Sequence, residues 1–244
     1  MTGRILSFVY GVLTYVFFLA TFLYAIGFVG NLVVAKSIDS GTAVPVSHAL
    51  PIDAALLALF AIQHSVMARR GFKQWWTKIV PEPIERSTYV LISSLLLALL
   101  FWQWRPIFAV VWEIESPLIR VVVQTMFWLG WLVVLLSTFM IDHFDLFGLR
   151  QVYLHLLGKK AAAPAFVTPG LYRWVRHPIL LGFLIAFWAA PTMTVGNALF
   201  AAATTAYMVA AIQLEERDLI ETFGEAYREY RKRVAMLIPR PKSK

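Results

Sequence analysis

From Ile5 to Ala35 the chain runs for 31 residues without one charged side chain. An α-helix rises about 1.5 Å per residue, and the hydrocarbon core of a bilayer is about 30 Å thick. That run is long enough to cross with tilt or to project beyond the core. Comparable runs follow at Ile52–Met67, which carries Gln63 and His64, at Tyr89–Trp104, and at Leu118–Ile141, where Arg120 can snorkel outward. The last, Ile179–Leu214, is broken midway by Pro191, Gly196 and Asn197. Its halves of about 17 residues are expected to fold back as a hairpin that barely crosses. The first run is far longer than the apolar stretch of a cleavable signal, so it is expected to stay as a span. The expected fold is all-α: a polytopic membrane helical bundle of about five to six spans, the last two a tight helical hairpin, then a cytoplasmic C-terminal amphipathic helix.

Composition agrees. Apolar residues make up 59% and charged ones 15%, against about 45–50% and about 25% in soluble domains. Cysteine is absent, which excludes disulfides, thiolate metal sites and a cysteine nucleophile. The net charge of +8 is gathered in short segments beside the apolar runs, as in loops at an anionic membrane face, so no nucleic-acid partner is expected. With six crossings, nineteen of the 22 basic residues fall on one side and only Lys36, Arg105 and Arg120 on the other. Positive-inside bias then puts both termini in the cytoplasm. Trp75, Trp76, Trp102, Trp104, Trp112, Tyr172 and Trp174 sit near span ends, as interface anchors do. No internal repeat or low-complexity tract is visible.

Charge near lipid is costly and therefore informative. Four clusters qualify: His64; Asp142 and His143 with Asp145; Arg176 and His177; and Glu215 with Glu216. The hairpin brings the last two together, because its ends must meet on one face. Pro178 fits the first turn of a helix, whose free N–H groups and positive dipole suit an anion. A helix start, a cation and an acid together can hold a zwitterion, such as an α-amino acid head group. Beyond Glu215 the chain reads as an amphipathic helix to Leu237. Leu219, Phe223, Tyr227, Tyr230 and Val234 form one stripe, Arg228, Arg231, Lys232 and Arg233 the other, and Pro239 ends it. Residues 142–177 read as a structured loop on the membrane. Each cluster also has a plainer account: His64 and Gln63 as interhelical hydrogen bonders, residues 142–145 as a solvated helix end, and the tail aromatics as packing.

Gly170-Leu171-Tyr172, Arg176-His177-Pro178, Gly182, Glu215-Glu216, Phe223-Gly224, Tyr227, Tyr230 and Ile238-Pro239 resemble the integral-membrane methyltransferases. That family includes isoprenylcysteine carboxyl methyltransferases and phospholipid methyltransferases, and the likeness covers about the last 80 residues. It implies S-adenosyl-L-methionine as cofactor, lined by Phe166, Val167, Tyr172, His177, Pro178, Ile179 and Leu180, with Arg176, Glu215 and Glu216 at its head group. Leu180 replaces a family tyrosine. Ala211 replaces an arginine of the prenylcysteine branch, so a carboxylate clamp is missing. Over its whole length, with Gln63-His64-Ser65 and Asp142-His143-Phe144-Asp145 through Gln151, the chain resembles the bacterial methanethiol S-methyltransferases. That likeness implies methanethiol as acceptor and dimethyl sulfide as product. Either His64 or His143 could take the thiol proton, with Asp142 or Asp145 orienting the ring and Arg150 anchoring the cofactor or the loop.

The expected organisation is a four-span bundle, 1–141, continuous with a cofactor-binding region, 142–244. The expected setting is a bacterial inner membrane, with lipid and a small thiol as partners and no metal. Two other readings remain: a nicotinamide-dependent membrane reductase with a similar C-terminal pattern, and a non-catalytic membrane factor like proteins of nitrogen-oxide metabolism. A transporter fits less well, because the polar residues gather on one side.

Overall fold

The structure, a computed structural model, describes residues 1–160 and 165–239. In chain order these form α1 (Thr2–Gly30), α2 (Val46–Ala68), α3 (Arg70–Trp76), α4 (Glu82–Gln103), β1 (Val110–Glu113), α5 (Pro117–Met140), α6 (His143–Leu146) and α7 (Leu149–Leu156). A 3-10 turn at Gly170–Arg173, then α8 (Pro178–Trp188), β2 (Thr192–Thr194), α9 (Val195–Phe223) and α10 (Glu225–Arg233) complete it. Five of these helices, α1, α2, α4, α5 and α9, are long and apolar enough to cross a membrane, and α8 is a shorter apolar helix. The protein is an all-α polytopic bundle. Among the described residues its one sheet is a small antiparallel pair, β1 with β2, in which Val110 faces Thr194 and Glu113 faces Thr192.

The helix ends follow local chemistry. Proline occupies the first turn of α4, α5 and α8, where a missing N–H costs no hydrogen bond. Thr194 caps α9 by accepting a bond from the Asn197 N–H at 3.1 Å. Gly224 ends α9 with φ 57° and ψ −128°, a conformation that a side chain would strain. The expected continuous tail helix to Leu237 is therefore corrected: it breaks at Gly224, resumes as α10 and stops at Arg233, not at Pro239. The chain beyond turns extended because Ala235 and Met236 accept from the Arg176 and His177 amides, Ala235 bridging to Val175, after Val234 makes the last bond to the helix. The hairpin is also unequal. Its break falls between Trp188 and Val195, leaving α8 with 11 residues and α9 with 29, while Gly196 and Asn197 lie inside α9.

The chain divides into two compact units. The first, Met1–Ala109 with Asp142–Ala163, packs α4 against both α1 and α2 and lays α7 on α1 and α4. Gly148, at φ 85°, opens α7 where a Cβ would meet the Ser87 nitrogen at 2.7 Å. The second unit, Val110–Ile141 with Pro164–Lys244, centres on α5 against α8. Small residues bring these two backbones close. A Cβ on Gly130 would lie 2.7 Å from the Gly182 carbonyl oxygen, and one on Gly182 would lie 2.6 Å from that of Gly130. Beside this contact Trp131 meets the ring of Phe183 edge-on at 5.6 Å. Close approach of this kind gains dispersion where lipid gives no hydrophobic drive.

Gly182→Val should therefore force the helices apart and cost about 1–3 kcal/mol, seen as a lower Tm in detergent. Gly71→Ala meets nothing within 4 Å and should leave Tm unchanged or raise it slightly.

Candidate functional site

In the second unit, Glu216 is the centre of a buried charge cluster. Its side chain is 3% exposed. One oxygen accepts from Arg176 Nε at 2.7 Å and lies 3.2 Å from His177 Nε2, and the other is 3.2 Å from Arg231 Nε. A buried carboxylate needs such partners, since desolvation otherwise exceeds what one pair returns. Arg176 also donates through Nη1 to the carbonyls of Arg231 and Val234, at 3.0 and 2.5 Å. The Arg176 and His177 amides bond to the carbonyls of Ala235 and Met236. The Tyr230 hydroxyl donates to the Tyr172 carbonyl at 2.6 Å. Together these bonds strap the tail across residues 172–177.

Glu215 is the next residue on the same helix but points elsewhere, because successive side chains turn about 100°. Its carboxylate is 53% exposed and lies 3.5 Å from His177 Nδ1. His177 thus stands between two acids. Burial pushes its pKa down, but the bonds to Glu215 and Glu216 outweigh that and hold it above the ordinary value. Its backbone begins α8, and its side chain makes no capping bond to the first N–H groups there, those of Ile179 and Leu180. The hairpin brings the 176–177 pair and the acid pair together, and Pro178 is the first residue of α8. Phe166 packs against Phe223, Tyr227 and Tyr230 at 5.4–5.9 Å, while Val167 is exposed nearby in sequence. Tyr227 is buried, and its hydroxyl has no hydrogen-bond partner among the described residues. Burial raises its pKa, so that hydroxyl stays a donor.

In the first unit, His64 and His143 both lie against one aromatic cluster. The Tyr89 hydroxyl is 2.9 Å from His64 Nε2, and Ser93 Oγ is 3.3 Å from its Nδ1. Ser93 in turn donates to Gln63 at 3.2 Å. Tyr89 is core to a group that also packs Phe18 and Phe147, and Phe147 meets the His143 ring at 4.9 Å. His143 is buried, with Nε2 2.8 Å from the Tyr15 hydroxyl. Burial lowers its pKa, partly opposed by Asp142, so it is neutral and able to accept a proton at pH 7. Asp142 holds φ 79° and caps α6 by accepting from the Asp145 N–H at 3.1 Å. Its other oxygen is ion-paired with Arg150. The Asp145 carboxylate accepts from Gln151 Nε2 at 3.4 Å.

Three contributors were not visible in the sequence: Tyr15, Tyr89 and Arg231. The tyrosines lie in apolar runs with nothing to mark them, and Arg231 is one of several tail cations. A search for hydroxyls level with each intramembrane histidine would have found Tyr89.

Fold and side chains together define a multi-pass α-helical membrane protein with a buried ion cluster at the start of a short apolar helix. The chain belongs to the family described as NnrU protein, which matches residues 54–231. Methanethiol S-methyltransferase 1 of Bradyrhizobium diazoefficiens is 58% identical over 97% of this chain and 83% of its own. The Methanethiol S-methyltransferase of Mycobacterium tuberculosis is 55% identical over 98% of each chain. The mouse (Mus musculus) protein Nurim is 31% identical over 68% of this chain and 66% of its own. No solved structure matches significantly.

The raised pKa of His177 sets a pH dependence. A folded value above the unfolded one adds stability that is complete below about pH 6.5 and lost as pH rises through the folded value. The Tm difference between wild type and His177→Gln should be largest near pH 6 and shrink toward pH 9; a constant difference would contradict a charged His177.

Proposed function

We propose that this chain is a membrane-embedded methyltransferase that uses S-adenosylmethionine to convert methanethiol to dimethyl sulfide. The observation that carries this reading is the 58% identity, across 97% of the chain, to a protein named for that reaction. The bacterial inner membrane with both termini cytoplasmic is the proposed setting, supported by the nineteen of 22 basic residues that fall on one side.

The residues of the second unit fit the methionyl head of the cofactor. Glu215 offers a half-exposed carboxylate for its ammonium, and the uncapped N–H groups of Ile179 and Leu180 suit its carboxylate. The partnerless Tyr227 hydroxyl is a further donor. Phe166, Val167, Tyr172 and Pro178 are the proposed lining. Arg176 and Glu216 support the site by fixing His177 and the tail. When bound, the cofactor supplies an electrophilic methyl group on a sulfonium.

The protein must handle the thiol proton, because neutral methanethiol is a weak nucleophile. Transfer leaves dimethyl sulfide, S-adenosylhomocysteine and one proton. His143 is the better of the two proposed acceptors, being buried and held neutral. His64, hydrogen-bonded to Tyr89, is the other. Asp142 and Asp145 fix the turn that carries His143, and Arg150 locks Asp142. Methanethiol needs no charged clamp, in keeping with Ala211 where the prenylcysteine branch has arginine.

Headspace gas chromatography of cells given methanethiol should show dimethyl sulfide only when the gene is present; none from folded protein that binds S-adenosylmethionine would remove this reading. Glu215→Gln should weaken S-adenosylhomocysteine binding about tenfold or more, as loss of a charge-assisted contact does, and unchanged affinity in calorimetric titration would refute the ammonium role. His143→Ala and His64→Ala should each be compared for kcat and binding. One of them should lose about 100-fold in turnover with affinity kept, and full activity in both would exclude a histidine base.

A further inference from the structure

The three cations left on the opposite side from the rest, Lys36, Arg105 and Arg120, call for an explanation, because loops on that side are usually poor in basic residues. Arg120 has one within its own unit: it donates to the Ile114 carbonyl at 3.0 Å and lies 3.8 Å from Glu113. Lys36 and Arg105 have a different arrangement. Both line a pocket of about 390 Å³ in the first unit, with Ser40, Thr42 and Trp104.

The two cations are held in place by the fold. Lys36 Nζ donates to the Trp102 carbonyl at 2.6 Å, and Arg105 Nη2 donates to Gln103 at 3.2 Å. The Arg105 backbone N–H donates to Asp53 Oδ1 at 2.8 Å. Trp104, fully buried, is anchored through its indole N–H to the Ile38 carbonyl at 3.1 Å. Asp53 is fully buried, and its second oxygen has no partner among the described residues. Asp53 acts on both cations, while Asp39, the acid of the neighbouring loop, is bonded to Asn31. Burial first, and then Arg105, lower the Lys36 pKa, against Asp53, which raises it. An anion in the pocket would offset the repulsion between the two cations.

The surroundings narrow the chemistry. The pocket lies where α1 and α4 end and α2 begins, at the water-facing limit of three apolar helices. Val33, Val46, Leu50, Trp102 and Phe108 are exposed in the same segments, as side chains in contact with lipid would be. A guanidinium, an ammonium and a Thr42 hydroxyl suit a tetrahedral oxyanion. We propose that the Lys36–Arg105 pocket is a phosphate-group site, separate from the residues assigned to methyl transfer. A phospholipid headgroup and free inorganic phosphate share that chemistry.

The test uses the full chain, purified and delipidated in detergent, as wild type and as Lys36→Gln/Arg105→Gln. Native mass spectrometry would follow binding of phosphatidylglycerol, with diacylglycerol, which lacks the phosphate, as control. Thermal shift would follow inorganic phosphate. Wild type should take up phosphatidylglycerol at least tenfold better than the double variant, with diacylglycerol binding alike in both. Protection by inorganic phosphate without lipid uptake would assign the site to the free ion. Equal behaviour of wild type and variant toward both probes would overturn the proposal. Because the double variant leaves Asp53 uncompensated, Lys36→Gln alone and Arg105→Lys are run beside it. Lys36→Gln should weaken binding severalfold while Arg105→Lys largely keeps it, and a change below twofold in Lys36→Gln also overturns the site.

Discussion

A buried carboxylate must be paired on both oxygens or it destabilises the fold around it, and in this protein that requirement falls on Glu216. Its partners come from two separate stretches of chain: Arg176 and His177 just before α8, and Arg231 on α10. None of the three can be placed without the others. The start of the short helix, the middle of the long one and the docked tail are thus one interdependent assembly. Arg176 extends it by donating to two tail carbonyls, which a lysine, with a single point charge, would not reproduce. The consequence for chemistry lies one residue away. Burying Glu216 turns Glu215 outward beside the His177 imidazole, whose pKa the two acids hold above its ordinary value, with the carboxylate still half-exposed.

The first unit solves a related problem with hydroxyls instead of ions. His143 and His64 sit among aromatic rings, and each has a tyrosine oxygen at hydrogen-bond distance. A neutral imidazole with a neutral partner is much cheaper to bury than an ion pair, and it stays able to accept a proton. The acids next to His143 are meanwhile taken up by the turn itself. Asp142 caps α6 in a left-handed conformation and pairs with Arg150. The first unit therefore buries a histidine held neutral, His143, and the second a fixed charge cluster, which are different electrostatic settings built from the same few residue types.

Much of this was legible in the sequence because bilayer thickness imposes a length on every span. The run at Leu118–Ile141 announces α5 almost residue for residue, and that at Ile5–Ala35 announces α1, which ends five residues earlier, at Gly30. The meeting of Arg176 and His177 with the acid pair followed from the hairpin alone. The tail was misread because periodicity from Leu219 to Val234 continues through Gly224, and only the positive φ there shows the break. Two adjacent glutamates cannot be ranked from sequence, since which one is buried depends on how α9 is rotated against its neighbours. Tyr15 and Tyr89 were unreadable for another reason: a tyrosine in an apolar run has the same pattern whether its hydroxyl meets lipid headgroups or a histidine.

The unequal hairpin explains why the acid pair is held on rigid backbone. At about 1.5 Å per residue, the 11 residues of α8 extend about 16 Å, short of a hydrocarbon core of about 30 Å. Residues Val195–Leu214 of α9 reach about 30 Å, enough for the core by themselves, yet the helix continues unbroken to Phe223. Glu215 and Glu216 are the first residues of that continuation. They are carried on a rigid helix, just past the apolar stretch, and not on a loop. A helix only long enough to cross the core would have ended at Leu214 and left the acids on flexible chain, where Glu216 could not hold its three partners at fixed distances. The fixed positions of both acids thus trace to a helix that outlasts its membrane-crossing length by nine residues, and positioning is what the proposed transfer reaction requires.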